Sequence, residues 1–333
     1  MEHRPGLDPA VAEVRRAVRA MLEHSEGAVV VALSGGADSL ALAAATAFEG
    51  QRRGIRVEAV VIDHALQPGS DAVAARAAET ARSLGLDARV VVVQVEAGDD
   101  GPEAAARAAR YRGLARAAAQ IGADTVLLGH TLDDQAETVL LGLARGSGGT
   151  SLAGMPAQRR DATGPTWARP LLGVRRRTTI AACAAEGLEP WVDPHNSDPA
   201  YARVRVRESV LPVLEAELGP GVAEALARTA EQLREDAAAF QDMIDETIED
   251  IVEHAEAGIS ISVAALAANP AALRNRIVRF VVESEFGVSL TRAQTLEVAR
   301  LAVDWRGQGP IDLPACVARR VGARIEIVAR TAS

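Results

Sequence analysis

The sequence contains no lysine: all 36 basic residues are arginine. That absence excludes Schiff-base catalysis and pyridoxal phosphate anchoring, which need a lysine amine. It also excludes a Walker A loop, whose lysine reaches the phosphates. Cysteine is scarce. Cys183 and Cys316 stand far apart with no Cys-x-x-Cys pair, so a zinc ribbon, an iron–sulfur cluster and a thioredoxin-like motif lack ligands. Both read as small buried apolar residues, not as the staple of a secreted protein. Aromatics make up 3% of the chain, which excludes widespread base stacking and leaves Trp167, Trp191 and Tyr201 as the nearby candidates. No apolar run approaches the roughly 20 residues of a membrane helix. Residues 1–22 lack the apolar core of a signal peptide. The expected setting is the cytoplasm, with no membrane partner.

What is present is an ordinary globular composition, 48% hydrophobic and 24% charged over 333 residues. That length leaves room for two domains at roughly 150 residues each. The net charge of −9 argues against indiscriminate nucleic-acid binding. It leaves a local basic patch open, because counterion release depends on the contact surface alone.

The first half alternates short Val/Leu-rich runs with helical stretches. Strands are expected over 28–33, 56–63, 88–95 and 124–130. Helices are expected over 38–48, 70–84, 102–120 and 132–144, with Ser70 as an N-cap. Continuous apolar strands separated by helices indicate a parallel sheet covered on both faces. Residues 146–170 read as a long loop, 175–185 and 201–218 as helices, and 191–200 as irregular. Beyond Gly219-Pro220-Gly221 the pattern turns helical: 222–257, 270–286 and 291–304, then two short strands around a turn over 310–328. The expected fold is α/β, a doubly wound, Rossmann-like parallel sheet over 1–219, with a smaller, mainly helical C-terminal domain over 220–333.

Ser34-Gly35-Gly36-Ala37-Asp38-Ser39 follows the first strand and opens a helix. Two glycines let the backbone approach a phosphate closely. The N–H groups of the next turn then point at the anion from the positive end of the helix. Ser34 and Ser39 add hydroxyl donors. Asp38 would repel bare phosphate, so its presence implies a bridging Mg²⁺.

This loop resembles the signature of the N-type ATP pyrophosphatases, the PP-loop family, whose members split ATP between its α and β phosphates to adenylate a substrate. Further motifs resemble one branch, the tRNA(Ile)-lysidine synthetases. These are Asp63-His64, the helix with Ala-Ala-x-Arg-x-x-Arg-Tyr ending at Tyr111, and His130-x-x-Asp133-Asp134-Gln135-x-Glu137-Thr138 followed by Arg145-Gly146-Ser147-Gly148. Arg169-Pro170-Leu171-Leu172 and the segment 191–214 complete the set, so the resemblance covers about residues 28–215. Two departures stand out. Ala65 and Gln67 replace the Gly and Arg of the family's Asp-His-Gly-Leu-Arg, and Val204 stands where Asn is frequent.

The resemblance implies a ligase. With ATP it adenylates the wobble cytidine of a tRNA(Ile) bearing a CAU anticodon, then replaces AMP by free lysine. The implied ATP contacts are Ser34, Gly35, Gly36, Ala37, Asp38 and Ser39. The implied catalytic set is Asp38, Arg110, His130, Asp134 and Glu137, with Asp38 as the Mg²⁺ ligand. Asp134 and Glu137 share a helix face at a spacing of three, as Asp133 and Glu137 do at four. Glu137 is a candidate for taking the proton of the lysine ammonium. Arg107 and Arg110 also share a face, and Arg110 is favoured for the α-phosphate charge. Arginines between 159 and 207 form the candidate RNA surface: Arg169, Arg175, Arg176, Arg177, Arg203 and Arg207. A homodimer is left open. The alternatives are a PP-loop tRNA thiolase, which needs a reactive cysteine, an ammonia-dependent adenylating synthetase, and a nucleotide sensor without chemistry.

Overall fold

Alternating residues of each buried strand pack against opposite layers of helix. In the first strand, β1 (Ala28–Ala32), Val29 and Val31 face one layer and Val30 the other. The computed structural model describes residues 6–23, 25, 27–65, 69–96, 101–146, 148–193, 198–255 and 258–330. Gln67 and Ser147 lie outside these residues.

Chain contacts divide the protein into two units, with the division between Arg234 and Glu235. In the first unit α1 (Pro9–Leu22) precedes β1, and α2 (Ala37–Arg53) follows it. Then come β2 (Val57–Asp63), α3 (Ser70–Ser83), β3 (Asp87–Val92), α4 (Pro102–Ile121), β4 (Ala123–Leu127) and α5 (Leu132–Ala144). The sheet runs β3-β2-β1-β4 in parallel and is extended by β6 (Thr166–Ala168), parallel to β4, and β5 (Gln158–Arg160), antiparallel at the edge. Helices α1, α2, α3 and α7 (Arg176–Ala185) cover one face, and α4 covers the other. This is the expected doubly wound sheet, with the carboxyl ends of β1, β2 and β4 at one edge. Such edges are where α/β sheets bind ligands.

Local departures have physical causes. The expected loop over 146–170 holds the short α6 (Gly149–Leu152) and the β5–β6 hairpin. Trp167 there is 1% exposed, tilted against Tyr111 with ring centroids 4.6 Å apart, and its indole donates to Asp161 Oδ2 at 2.6 Å. It is a packing residue and not a stacking platform. The expected helix over 201–218 breaks into α8 (Ala202–Arg205), a π-helical segment Val206–Val210 and α9 (Leu211–Glu217). Pro212 sits in the first turn of α9, where a missing N–H is harmless. Gly69, at φ +84, is the residue before α3, so Ser70 is its first helical residue and not its cap.

Helix α10 (Val222–Ile251) carries the chain across the division between the units. The second unit holds a five-stranded antiparallel sheet, β7-β8-β11-β10-β9, built from Val252–Ala255, Gly258–Ser262, Arg324–Ala329, Cys316–Val321 and Ile311–Asp312 respectively. Against it pack α11 (Val263–Ala268), α12 (Ala271–Phe286) and α13 (Arg292–Val303). Ile259, Ile261, Ile325 and Ile327 meet Ile277, Val281, Val298 and Leu301 in its core. Strands β7 and β8 lie where a continuous helix and its tail were expected. Pairing with β7 on one side and with β11, more than sixty residues later, on the other makes that short Ile-x-Ile run a strand.

Candidate active site

The loop after β1 is shaped to leave donors free. Gly35 takes φ +85, a left-handed conformation that favours glycine, and its carbonyl accepts from Trp191 N at 3.0 Å. Gly36 precedes α2 with no side-chain cap, so the first N–H groups of a 17-residue helix keep no capping partner. Ser39 Oγ ties the loop together. It donates to Gly36 O at 2.9 Å, accepts from Ser34 N at 3.1 Å, and lies 3.1 Å from Ser34 Oγ. Gly129, just after β4, lets the two turns meet: a Cβ there would stand 3.1 Å from the Asp38 carbonyl carbon and from Ser39 N. No motif reading singled out Gly129, because its need arises from a contact distant in sequence.

Helix α5 begins at a capping box. Thr131 N and Oγ1 both donate to Asp134 Oδ2, at 2.8 and 2.9 Å. The other oxygen, Oδ1, accepts from Arg176 Nη2 at 2.8 Å. Burial works to raise the Asp134 pKa. Arg176, the Thr131 N–H, Arg203 and His130 outweigh it and hold the group below the ordinary carboxylate range. Gln135 is buried and fixes the following loop by a two-way bond with Met155: Nε2 to Met155 O at 2.9 Å, Met155 N to Oε1 at 2.7 Å.

Arg176 gathers the acids. Its Nε donates to Asp38 Oδ2 at 3.3 Å, Nη1 to Glu137 Oε1 at 3.1 Å and Nη2 to Asp134 Oδ1 at 2.8 Å. Its backbone N–H donates to Asp133 Oδ2 at 2.7 Å. One guanidinium at the start of α7 thus joins the phosphate loop to α5. Burial works to lower its pKa, but Asp134, Glu137 and Asp38 outweigh it and press the guanidinium above the ordinary arginine value. Asp38 also accepts from Thr179 Oγ1. Its pKa is raised, because burial outweighs Arg176 and Thr179.

Glu137 is fully buried. Besides Arg176 it accepts from Arg203 Nε at 2.9 Å and from Arg207 Nε and Nη2 at 2.7 and 3.0 Å. Three guanidinium groups saturate this carboxylate, so as it stands it faces no free substrate amine. Arg203 Nη2 adds a bond to Thr138 Oγ1 at 2.9 Å.

His130, Arg110 and His64 form a second polar group at the carboxyl ends of β4 and β2. His130 Nδ1, Arg110 Nε and His64 Nδ1 are each buried without a hydrogen-bond partner. Burial, Arg169, Arg110 and Arg107 push His130 down to about 3 against the pull of Asp134. Burial and then Arg110 lower His64. Burial also lowers Arg110. Buried polar atoms are ordinarily paired, so these three groups stand out at this sheet edge. Next to them Ala65 adopts φ +51, its N–H donating to Asp63 Oδ1 at 2.9 Å. This is the position at which the resembling family carries glycine, and the left-handed backbone supplies the reason.

The structure brings Asp38, Asp134 and Glu137 together through Arg176. The charges of Asp134 and Arg110 both act on His130. The arginines expected as an RNA surface are mostly internal. Arg169 is buried and donates to Pro156 O at 3.0 Å. Arg175 pairs with Asp133, Glu215 and Glu224 at 3.5, 3.7 and 3.2 Å. Arg176, Arg203 and Arg207 serve the acids as described. Arg177 is exposed and its side chain makes no bond with the described residues. Residues missed in the sequence are Thr179, Thr131, Gly129 and the acid-gathering role of Arg176. Only the Thr-x-x-Asp cap had a local signal. Both cysteines are buried and free. Cys183 lies under the loop, donating to Ala37 O at 3.3 Å, and burial followed by Asp38 and Glu186 pushes its thiol up to about 11.

Sheet order, glycine loop and carboxylate cluster together define a PP-loop protein, and residues 10–214 match the PP-loop domain family. Residues 261–325 match the TilS substrate binding domain. The tRNA(Ile)-lysidine synthase of Leifsonia xyli subsp. xyli is 61% identical over 288 residues, 86% of this chain and 85% of that one. The tRNA(Ile)-lysidine synthase of Salinispora tropica is 50% identical over 324 residues, 95% and 96% of the two chains. The chain belongs to the tRNA(Ile)-lysidine synthase family. Among solved structures, the U34-tRNA thiolase NcsA from Methanococcus maripaludis with its 4Fe-4S cluster is similar at a TM-score of 0.56 and 20% identity, covering 68% of this chain and 80% of that one. That likeness concerns the fold alone. Among the described residues no helix is long and apolar enough to cross a membrane.

Proposed function

We propose that this chain is an ATP-dependent ligase that adenylates the wobble cytidine of a CAU-anticodon tRNA(Ile) and replaces AMP by lysine to form lysidine. The observation that carries the reading is the meeting of Asp38, Asp134 and Glu137 on Arg176, beside a loop with uncapped N–H donors. The oxygen on carbon 2 of the cytidine attacks the α-phosphorus of ATP, and the bond to the bridging oxygen breaks to release pyrophosphate. The lysine ε-amine, after losing a proton, attacks carbon 2 and expels AMP.

In this reading Ser34, Gly35, Gly36, Ala37, Asp38 and Ser39 hold the phosphates. Arg110 offers its unpartnered guanidinium N–H to the charge developing at the α-phosphate. His130, neutral at any working pH, serves as a hydrogen-bond partner and not as a strong base. Glu137 acts through its arginines as a positioning residue. Asp38 and Asp134 are the carboxylates suited to Mg²⁺, which favours one or two carboxylates completed by substrate phosphates. Among the described residues no cluster of three protein ligands stands ready, which fits an ion that arrives with ATP. Bound there, Mg²⁺ would neutralise charge on the pyrophosphate.

For lysine, a cavity of about 210 Å³ beside Glu137 carries Asp133 and Glu215 near Arg175 and Arg207, both signs of charge that an amino acid with a basic side chain needs. Arg177 keeps an RNA contact role. Residues 1–219 form the catalytic domain, and residues 220–333 form a tRNA-associated one. A thiolase reading is disfavoured, because a thiol pushed up to about 11 is a poor nucleophile. The test is incubation with ATP, radiolabelled lysine and CAU-anticodon tRNA. Label should enter the RNA, and omission of lysine should leave adenylated tRNA. Label from ATP on the protein instead would refute the scheme.

A further inference from the structure

Asp38 and Asp134, the carboxylates suited to Mg²⁺, are each clamped at one oxygen. Asp134 Oδ2 accepts from Thr131 N and Oγ1 at 2.8 and 2.9 Å, and Asp38 Oδ1 accepts from Thr179 Oγ1. Their other oxygens turn to one guanidinium. Asp38 Oδ2 lies 3.3 Å from Arg176 Nε, and Asp134 Oδ1 lies 2.8 Å from Nη2. An arginine fork is matched to both oxygens of a single carboxylate. Here it is shared between two carboxylates, one at the start of α2 and one in the first turn of α5. A small divalent ion held by one or two carboxylates and completed by substrate phosphates would draw on the same two oxygens. Guanidinium and ion therefore compete for one place.

The surroundings are held together without this side chain. Glu137 keeps its bonds from Arg203 and Arg207 at 2.7 to 3.0 Å. The Arg176 backbone is anchored apart from its guanidinium: its N–H donates to Asp133 Oδ2 and its carbonyl accepts from Thr179 Oγ1, both at 2.7 Å. The side chain itself is 21% exposed, which gives it a way out. Guanidinium geometry also matches phosphate oxygens. A triphosphate on the neighbouring loop would thus offer Arg176 a new partner in exchange for the two acids.

We infer that Arg176 occupies the divalent-ion place between Asp38 and Asp134 and vacates it for the phosphates of ATP, so that the chain takes up its ion with the nucleotide and not before it. This rests on the ATP and Mg²⁺ reading above. Arg176 is then a positioning residue with two settings. Without nucleotide it neutralises the two acids and holds α5 to the phosphate loop. With nucleotide it leaves Asp38 Oδ2 and Asp134 Oδ1 free to act as ligands, their other oxygens still held by Thr179 and Thr131.

The experiment measures protein-bound Mn²⁺, standing in for Mg²⁺, by water-proton relaxation on the full chain without tRNA or lysine. Wild type should bind Mn²⁺ weakly by itself and take it up with a non-cleavable α,β-methylene analogue of ATP. Arg176→Gln should bind Mn²⁺ without nucleotide about 10-fold more tightly than wild type, inside the roughly 5- to 150-fold span of ordinary coupling between sites. Adding Asp38→Asn to that variant should remove the gain. Thermal melts with and without Mn²⁺ show which variants fold, and the ion should raise the melting point of Arg176→Gln more than that of wild type. Arg176→Lys covers the case in which the neutral variant does not fold. It keeps the charge, but an ammonium cannot span two carboxylates as the planar fork does, so it should also gain affinity, by less. Wild-type affinity in every folded Arg176 variant overturns the inference, and so does a gain that survives Asp38→Asn. A wild-type protein that takes up no Mn²⁺ even with the analogue overturns the ATP and Mg²⁺ reading itself, a separate outcome.

Discussion

Replacing Glu137 by glutamine tests whether this carboxylate works through arginines or touches substrate. The side chain is fully buried and receives bonds from Arg176, Arg203 and Arg207 at 2.7 to 3.1 Å. Removing the charge leaves three guanidinium groups short of a counter-charge. Breaking a buried pair by losing one partner costs about 3 to 5 kcal/mol. The arginine side chains retain between 21% and 31% exposure, so water relieves part of that penalty and the lower figure of about 3 kcal/mol applies. For a unit of this size, roughly 2 to 4 °C per kcal/mol gives a melting point lower by about 6 to 12 °C. Arg176 also holds Asp38 and Asp134, so adenylation, followed as pyrophosphate release with tRNA and no lysine, should fall together with lysine incorporation. Glu137→Asp keeps the charge and should recover part of both. The refuting result is a Glu137→Gln variant that melts like wild type, adenylates tRNA normally and loses only the lysine step. That pattern would mean direct contact with the amine.

Three further outcomes are expected. Asp38→Asn should abolish adenylate formation without lowering the melting point at pH 7; a folded acid with a raised pKa binds its proton more tightly than the unfolded chain does, so its ionisation weakens folding as pH rises through that range. Normal pyrophosphate release from this variant would remove Asp38 from the chemistry. His130, pushed down to about 3, should stay neutral down to acidic pH, so its contribution to stability is lost as pH falls from about 6.5 toward 3; an imidazole titration by NMR with a midpoint near 6.5 would contradict the buried, unpartnered ring. Gly129→Ala places a methyl 3.1 Å from the backbone of Asp38 and Ser39, an overpacking worth about 1 to 3 kcal/mol; ATP affinity should drop several-fold by calorimetry, and wild-type affinity would show that the loop yields freely.

Much of this protein is legible without coordinates because its signals are local. The Val runs of β1, β2 and β4, the glycine loop and the bounds of α4, α5 and α7 follow from neighbouring residues, and so do the groups at the sheet edge. A serine–glycine turn between a buried strand and a helix is suited to an anion, since only nearby N–H groups and the helix end are involved. What the sequence does not carry is charge pairing. Arg169, Arg175, Arg176, Arg203 and Arg207 look like a basic surface along the chain. In the fold they meet Asp38, Asp133, Asp134, Glu137, Glu215 and Glu224, or a backbone carbonyl, from elements up to 138 residues away. Residue type alone cannot tell a solvated guanidinium from a neutralised one. The same holds for β7 and β8, which pair with each other and, through β8, with the distant β11, and for Gly129, whose lack of a Cβ matters only because α2 passes over it. Local pattern determined the core strands and helices of the first unit and the phosphate loop. Tertiary contact decided which charges face a substrate, because electrostatic partnership depends on distance through space and not along the chain.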